Sequence, residues 1–313
     1  MTRVSRTLAA LLAVLVVATA SQGYAAARRL PPGYADPSTT AATAGPAYTA
    51  LAKRPTARWV TSSIPTGQVR RAVAGYVDAA AAAHRTPELA IYAIPARDCG
   101  DYSAGGLTNG PAYRAWIRQV AAGLAGTRTL VVLEPDALPQ LGACRGQGHR
   151  ARLLRWATKR LARAGGWVYL DAGHSTWVSP RVMATRLKRA GVARARGFST
   201  NVSNFRPTGA EKRYARRIVR ALRGLGVHGV HYVVDTSRNG AHPAPAGSDW
   251  CNPVQARVGA APRLVFRGAF DGRLWVKHPG ESDGPCHGGP AAGAWCALLA
   301  DRLLGRDPTE SHC

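Results

Sequence analysis

Residues 129–173 read TLVVLEPDALPQLGACRGQGHRARLLRWATKRLARAGGWVYLDAG and contain the unit that decides the fold. The apolar run TLVVLEP (129–135) has the length of a short buried strand. In HRARLLRWATKRLARAG (149–165) the apolar residues recur at intervals of three and four, which predicts an amphipathic helix. A second apolar run, GWVYLDAG (166–173), follows that helix directly. This order predicts two parallel strands joined by a helical crossover.

The same alternation continues on both sides of this unit. The further strand-like runs are ELAIYAI (88–94), RGFSTNVS (196–203), HYVVDTS (231–237) and RLWVKHPG (273–280). The segment YRAWIRQVAAGLAG (113–126) again has helical spacing. Six strands with helices between them predict an α/β fold with a parallel sheet.

Polar residues indicate whether this sheet is a barrel or an open sheet. A carboxylate or amide stands at or just after the C-terminal end of five runs: Asp98, Asp136, Asp171, Asn201 and Asp235. A (β/α) barrel carries its reactive groups at these ends. No glycine-rich G-x-G-x-x-G or P-loop signature follows the first strand, which counts against a nucleotide-binding sheet. We therefore predict a distorted, TIM-like parallel (β/α) barrel.

The N-terminus has the pattern of a secretory signal peptide. Two arginines precede an apolar run at residues 8–18, and small residues offer cleavage after Ala20 or Ala27. The run is shorter than the roughly 20 residues that a membrane anchor needs. We expect residues 1–27 to be the signal peptide, with the earlier cleavage as the alternative. The mature protein is then secreted, extracellular and not bound to a membrane.

The remainder is expected to be one domain. Residues 28–45, RRLPPGYADPSTTAATAG, are rich in Pro, Thr, Ala and Gly without apolar periodicity, which predicts a short flexible lead-in. Residues 46–313 are predicted to form a single catalytic barrel domain, because barrels of about 250 residues fold as one unit.

The chain is strongly basic, with 42 Lys and Arg against 17 Asp and Glu and a formal net charge of +25. Such a charge raises the question of nucleic acid or another polyanion as partner. The basic residues are 37 Arg and 5 Lys in a chain rich in Ala, Gly and Pro, which is typical of a G+C-rich coding bias. They lie along helical stretches and not beside aromatic stacking pairs. We therefore expect solvated arginines and no nucleic-acid partner.

The few carboxylates gather where the predicted strands end. Eight of the 17 acidic residues fall in five short windows at these ends: Asp98, Asp101, Glu134, Asp136, Asp171, Asp235, Glu281 and Asp283. Glycoside cleavage requires two carboxyl groups facing one cleft, one of which protonates the leaving oxygen. The pattern favours acid chemistry on a sugar.

Seven strings in order resemble glycoside hydrolase family 6, the inverting cellulases that cut β-1,4-glucan. They are IYAIPARDCGDYSAGG, VVLEPDALP, VYLDAGHSTW, GFSTNVSNF, VVDTSRNG, DWCNP and LWVKHPGESDGPC. The resemblance covers about Trp59 to Cys286. The resemblance implies single-displacement hydrolysis of a β-1,4-glucan with inversion and without a cofactor. We expect no metal and a monomeric protein.

The resemblance also implies roles for three carboxylates. Asp136 corresponds to the general acid, and the alternative is a structural helix N-cap. Asp98 corresponds to the neighbour that tunes this acid and helps to place the attacking water, unless it only pairs with Arg97. Asp283 corresponds to the proposed general base, which acts directly or through a chain of waters.

Further positions match sugar-binding residues of the family: Tyr92, Ser103, Asp171, His174, Asn201, Lys277 and Glu281. Stacking on sugar rings is expected of Trp59, Trp177 and Trp250. Lys277 has the alternative of being a structural partner of Glu281. Asp235 and Arg238 either bind sugar or support the cleft.

Departures from the family favour an open active-site cleft. Its cellobiohydrolases carry long loops over the site and a second tryptophan after the one that matches Trp177, where this chain has Val178-Ser179-Pro180. We therefore expect an endo-β-1,4-glucanase. The alternatives are a cellobiohydrolase and a secreted non-catalytic protein that holds anionic wall polymers on its positive surface.

Six cysteines follow the predicted signal peptide, and disulfides persist in the oxidising compartment that a secreted protein reaches. Six cysteines allow fifteen pairings. The resemblance pairs Cys99 with Cys144 and Cys251 with Cys286. Cys296 and Cys313 remain. We expect a third intramolecular bond between them, with free thiols or an intermolecular bond through Cys313 as alternatives.

Overall fold

In a computed structural model, residues 30–124, 126–246, 248–308 and 313 are described. The predicted signal peptide, residues 1–27, lies outside these residues. One compact unit extends from Pro32 to Cys313. In the part of the chain that the structure covers, no helix combines the length and hydropathy needed to cross a bilayer.

Eight strands form one sheet. They are β1 (Arg58–Thr61), β2 (Glu88–Tyr92), β3 (Leu130–Leu133), β4 (Trp167–Asp171), β5 (Gly197–Thr200), β6 (His231–Asp235), β7 (Arg263–Arg267) and β8 (Phe270–Leu274). Their order in the sheet is β1-β2-β3-β4-β5-β6-β8-β7. Strands β1 to β6 and β8 are parallel, and β7 pairs antiparallel with β8.

The sheet curls until β1 approaches the segment that follows β8. The Ala57 N–H donates to the Trp275 carbonyl at 2.9 Å, and the Trp59 indole N–H donates to the Val276 carbonyl at 2.8 Å. Among the described residues, single hydrogen bonds and not a β-ladder therefore join the region of β1 to the segment that follows β8. The predicted α/β fold, a distorted parallel (β/α) barrel, is confirmed.

Helices cover the outside of the barrel. They are α1 (Thr40–Thr43), α2 (Thr49–Ala52), α3 (Thr66–Ala82), α4 (Gly110–Leu124), α5 (Arg150–Arg163), α6 (Pro180–Arg189), α7 (Thr208–Gly224) and α8 (Ala297–Leu304). Short 3₁₀ helices lie at Pro46–Tyr48, Asp98–Gly100 and Val192–Arg194. The apolar faces of α3 to α7 and the strand side chains form one buried core. Each of the six predicted strand runs overlaps an observed strand, the last of them only at residues 273–274, and both predicted helices are present.

The structure adds two strands and shifts one. β1 and β7 were not predicted, because RWVT is short and RLVFR has arginines at both exposed ends. The last predicted run, residues 273–280, contains only the end of β8. Pairing with β6 stops at Leu274, and from Trp275 onward the backbone turns to hydrogen-bond with Ala57.

The predicted lead-in, residues 28–45, is ordered from Pro32 onward, so the compact unit begins earlier than residue 46. The Tyr34 N–H donates to the Thr86 carbonyl at 2.9 Å, and the Thr39 hydroxyl caps α1. The Thr40 hydroxyl donates to the Glu281 carboxylate at 2.9 Å. These polar contacts replace the apolar periodicity that the segment lacks.

Three disulfides join Cys99 to Cys144, Cys251 to Cys286 and Cys296 to Cys313. All three expected pairings are therefore present. The first two fasten the loops that carry Asp98 and Asp283. The third ties the C-terminal residue to the start of α8.

Candidate active site

Strained backbone marks the C-terminal edge of the sheet. Asp98, Glu134, Asp136 and Asn201 have φ angles of 57°, 52°, 65° and 66°, in the left-handed region. Asp and Asn tolerate this region better than most side chains, and Glu does not. Such strain clusters at functional sites, where the surrounding structure holds it in place.

Asp136 and Asp171 meet at this edge. One oxygen of the Asp171 carboxylate accepts the backbone N–H of Asp136 at 2.9 Å and that of Gly173 at 3.1 Å. Burial, followed by the negative charges of Asp171, Asp98 and Asp283, raises the pKa of Asp136 well above its usual value. Burial also raises the pKa of Asp171, although its hydrogen bonds oppose the shift. Asp136 is therefore held as a neutral acid beside its partners.

Glu134 directly follows β3 and was not assigned a site role from the sequence. Its carboxylate accepts the N–H groups of Ala93 and Ile94 at 2.9 and 3.0 Å. Burial raises the pKa of Glu134 to about 7. Glu134 thus ties the end of β2 to the loop that carries Asp136. Its position two residues before Asp136 is the only signal in the sequence.

The Asp98 loop is held from both sides. The Asp98 carboxylate accepts the Ser103 N–H at 2.8 Å and the Gln140 side-chain N–H at 3.1 Å. Burial raises the pKa of Asp98 against these hydrogen bonds. Gln140 was missed, although it stands four residues after Asp136.

Arg97 does not form the plain salt bridge with Asp98 that was the alternative, as far as the described ion pairs show. Its guanidinium donates to the carbonyls of Tyr92, Ser103 and Ala104 at 2.7 to 2.9 Å. Arg97 therefore shapes the loop and leaves the Asp98 oxygens to Ser103 and Gln140.

Asp283 lies among positive charges, whereas Asp136 lies among carboxylates. Its carboxylate lies 2.8 Å from the Arg238 guanidinium and 3.4 Å from the Lys277 ammonium, and it accepts the Asn252 N–H at 3.1 Å. Burial acts to raise the pKa of Asp283, but the charges of Arg238 and Lys277 outweigh it and hold the pKa below the usual value. Asp283 is therefore ionised over a range of pH in which Asp136 is still neutral.

Lys277 and Glu281 have separate partners. The Lys277 ammonium donates to the Ser282 carbonyl at 2.9 Å and pairs with Asp283, so the alternative pairing with Glu281 is not formed. Glu281 accepts from Thr40 and lies 2.9 Å from His278 Nδ1. The carboxylate of Glu281 is thus committed to the N-terminal segment of the barrel.

Two of the expected or open positions, Asn201 and Asp235, form hydrogen bonds within the protein. Asn201, expected to bind sugar, is 0% exposed, donates to the Asp235 carbonyl at 2.9 Å and accepts the Arg206 N–H at 2.9 Å. Its amide has both N and O engaged within the protein, and a role for Asn201 in binding sugar stays a prediction. Asp235 accepts the N–H groups of three residues and supports the cleft: Ser203, Ser237 and Lys277.

Exposed aromatic rings lie on the same side. Trp177 and Trp250 are 41% and 42% exposed, as expected of sugar platforms. Tyr102, which was not predicted, is 48% exposed, and its ring centroid lies 5.7 Å from that of Trp250. Gly284 makes room for Tyr102, because a Cβ there would approach the ring to 2.2 Å. Rings this exposed are not roofed by the described loops.

The other predicted rings lie deeper. Trp59 packs edge-on against Tyr92 at 5.4 Å, and burial together with the charges of Asp136 and Asp98 raises the pKa of the Tyr92 phenol. Burial, followed by the charge of Arg206, lowers the pKa of His174 to about 4. His174 is thus a neutral imidazole whose ring centroid lies 5.4 Å from that of Trp177.

Chemically, this edge of the barrel combines a neutral carboxylic acid at Asp136 with an ionised carboxylate at Asp283. Environments that separate two pKa values in this way assign the roles of proton donor and anion. Among the described residues, no group of three or more His, Cys, Asp or Glu side chains is arranged to hold a metal ion. The arrangement suits acid-assisted cleavage of a bond whose leaving oxygen needs a proton.

Comparison with known proteins agrees with this chemistry. Endoglucanase A of Cellulomonas fimi is 43% identical over 251 residues, covering 80% of this chain and 54% of that protein. Endoglucanase A of Thermobispora bispora is 39% identical over 307 residues, covering 91% and 66%. This chain therefore spans about half to two thirds of these curated relatives.

A solved structure shows the same fold. The endoglucanase Cel6 of Mycobacterium tuberculosis, in complex with methyl-cellobiosyl-4-deoxy-4-thio-β-D-cellobioside, superimposes with a TM-score of 0.83 at 40% identity. The match covers 89% of this chain and 98% of that chain. The family model for glycosyl hydrolases family 6 matches residues 20–306. The chain therefore belongs to glycosyl hydrolases family 6.

Proposed function

We propose that the protein is a secreted endo-β-1,4-glucanase that hydrolyses internal glucosidic bonds with inversion. The observation that carries this proposal is the contrast between the surroundings of two carboxyl groups. Asp136 lies against Asp171, and burial and neighbouring negative charge raise its pKa. Asp283 lies 2.8 Å from Arg238 and 3.4 Å from Lys277, and their positive charges hold its pKa low. The relatives named endoglucanase support the substrate class, and the N-terminal sequence supports secretion.

Asp136 acts as the general acid. It donates its proton to the glycosidic oxygen as the bond from that oxygen to the anomeric carbon breaks. Burial, together with the negative charges of Asp171 and Asp98, keeps this proton on Asp136 at neutral pH. Asp136 is an anion after the step and is reprotonated from solvent before the next turnover.

A water molecule attacks the anomeric carbon from the opposite face and releases a proton. Asp98 and Ser103 position this water, because their loop is fixed by Arg97 and Gln140. The Asp283 carboxylate stabilises the positive charge that develops on the sugar. It is a weak base for the released proton, because Arg238 and Lys277 hold its pKa low. Water therefore carries the released proton away along the Asp283 side.

The endo mode is supported by the open cleft. Trp177, Trp250 and Tyr102 are exposed along it, so a long chain can enter without threading through a closed passage. The first test follows the viscosity and the reducing ends of carboxymethyl cellulose together. Internal cuts predict a fast fall in viscosity for few new reducing ends. A slow fall with cellobiose as the sole product, or no new reducing ends, would overturn the proposal.

The Asp171 charge predicts a shift in pH dependence. Asp171→Asn removes an anion that raises the pKa of Asp136, so the acid loses its proton at a lower pH. The alkaline limb of the kcat/KM profile is expected to move to lower pH. The measurement is a pH–rate profile on a soluble cello-oligosaccharide, with Asp78→Asn as the exposed control. An unchanged alkaline limb would remove Asp171 from this role.

A further inference from the structure

A basic groove lies outside the barrel, away from the candidate active site. It has a volume of about 840 Å³ and runs between α7 and the β7–β8 hairpin. On α7 its wall is formed by Lys212, Arg216, Arg220 and Arg223, spaced four, four and three residues apart on one helix face. This wall is about 16 Å long at 1.5 Å per residue.

The hairpin supplies the opposite wall with three more arginines: Arg263, Arg267 and Arg273. Among the described residues that line the groove, none is acidic. None of the seven cations takes part in an ion pair between described residues. The sequence predicted solvated, dispersed arginines, but the fold gathers seven basic side chains in one groove. Like charges held this close repel each other, and an anion between them relieves that repulsion.

Aromatic residues at the floor of the groove interact with two of these basic side chains. The Lys212 ammonium lies 4.6 Å from the centroid of the Phe270 ring, and burial raises the pKa of the Tyr232 phenol against the opposing charge of Arg216. Phe270 and Tyr232 are only 9% and 2% exposed, so neither presents a ring face to a base. Single-stranded nucleic acid is held by such stacking as well as by charge. The groove therefore favours a polyanion without bases.

The groove and the catalytic carboxylates lie at opposite ends of the strands. Tyr232 and Phe270 pair with each other where β6 and β8 begin, whereas Asp136 and Asp171 stand where β3 and β4 end. A polymer in the groove leaves the cleft free for its own substrate.

We propose that this groove binds a linear anionic polysaccharide and tethers the protein to it. Arginine binds carboxylates through two parallel hydrogen bonds, and two facing rows of cations suit a single extended chain of regularly spaced charges. The groove volume is in the range that accommodates a few sugar units. This binding is independent of hydrolysis, so its failure would leave the proposed endoglucanase activity untouched.

The test compares two triple variants of the mature protein that lose the same charge. Arg220→Gln/Arg223→Gln/Arg267→Gln removes cations from both walls, and Arg152→Gln/Arg160→Gln/Arg163→Gln removes exposed arginines from α5. The probe is fluorescently labelled polygalacturonate, and binding is followed by anisotropy between about 50 and 200 mM NaCl. Hydrolysis of a neutral soluble glucan is expected to be unchanged in both variants.

We expect the groove variant to weaken polygalacturonate binding about tenfold or more and to flatten its salt dependence. The α5 variant should weaken binding by less than about twofold, because scattered surface charges contribute little. Equal losses in both variants would show that net charge alone attracts the polymer and would overturn the proposal. Tighter binding of oligothymidylate than of polygalacturonate through the same arginines would replace it with a nucleic-acid site.

Discussion

Asp136→Asn is expected to lower kcat on carboxymethyl cellulose by about 10²- to 10⁴-fold, the usual contribution of a general acid. The folded protein should keep its stability, because the Asp136 carboxyl is already neutral and the amide preserves both its shape and its charge. Binding of cello-oligosaccharides should also be nearly unchanged, since the variant removes a proton and not a contact. Steady-state kinetics, thermal unfolding and calorimetric binding measure the three quantities.

A substrate with a good leaving group provides the internal control. A dinitrophenyl cello-oligosaccharide needs little protonation of its leaving oxygen, so Asp136→Asn should cleave it with a much smaller loss. Asp78→Asn on the exposed face of α3 should leave both substrates unaffected. Equal losses on the two substrates, or a loss below about tenfold on carboxymethyl cellulose, would contradict the assignment of Asp136 as the acid.

Asp283→Asn should behave differently although the chemical change is the same. It removes an ionised group and leaves Arg238 and Lys277 buried without their counter-ion. Losing one partner of a buried ion pair costs about 3 to 5 kcal/mol in the free energy of unfolding. Activity should fall as well, because the developing positive charge on the sugar loses an ionised carboxylate of the site. Chemical denaturation and kinetics on the same sample measure both.

The pH dependence of the free energy of unfolding tests whether the ion pairs of Asp283 stabilise the folded protein. The pKa of Asp283 is lower in the folded state, so its stabilising effect is complete above its unfolded pKa and is lost as pH falls through the folded value. The difference in stability between wild type and Asp283→Asn should therefore shrink at acid pH. The double variant Lys277→Met/Asp283→Asn should lose less stability than the sum of the single variants. Additive losses would mean that the two groups do not interact.

The sequence predicted the parts of the fold that depend on regular hydrophobic spacing. Six strands, two helices and the strand ends that carry Asp136 and Asp171 follow from periodicity. β1 and β7 were not predicted, because a four-residue strand and an edge strand flanked by arginines show too little apolar periodicity. The order of residues 32–45 was not predicted, because backbone and hydroxyl hydrogen bonds hold this segment and such bonds leave no periodic pattern in the sequence.

The candidate site was predictable where the resemblance fixes single residues and less so where partners come from distant loops. Asn201 matched a sugar-binding position, yet its amide is consumed by Asp235 and Arg206 from other elements. Tyr102 and Gln140 were missed because their roles depend on Trp250 and Asp98, which only folding brings beside them. The cationic groove was missed for the same reason, since its two walls come from α7 and a hairpin about forty residues later.

Proton NMR of the first products formed from a soluble cello-oligosaccharide tests the central claim most directly. A single displacement, with Asp136 protonating the leaving oxygen while water attacks the opposite face, inverts the β bond. The account predicts that the α anomer appears first at the new reducing end and converts to the β anomer only by slow mutarotation. Initial appearance of the β anomer would show a covalent intermediate and contradict the mechanism proposed for Asp136 and Asp283.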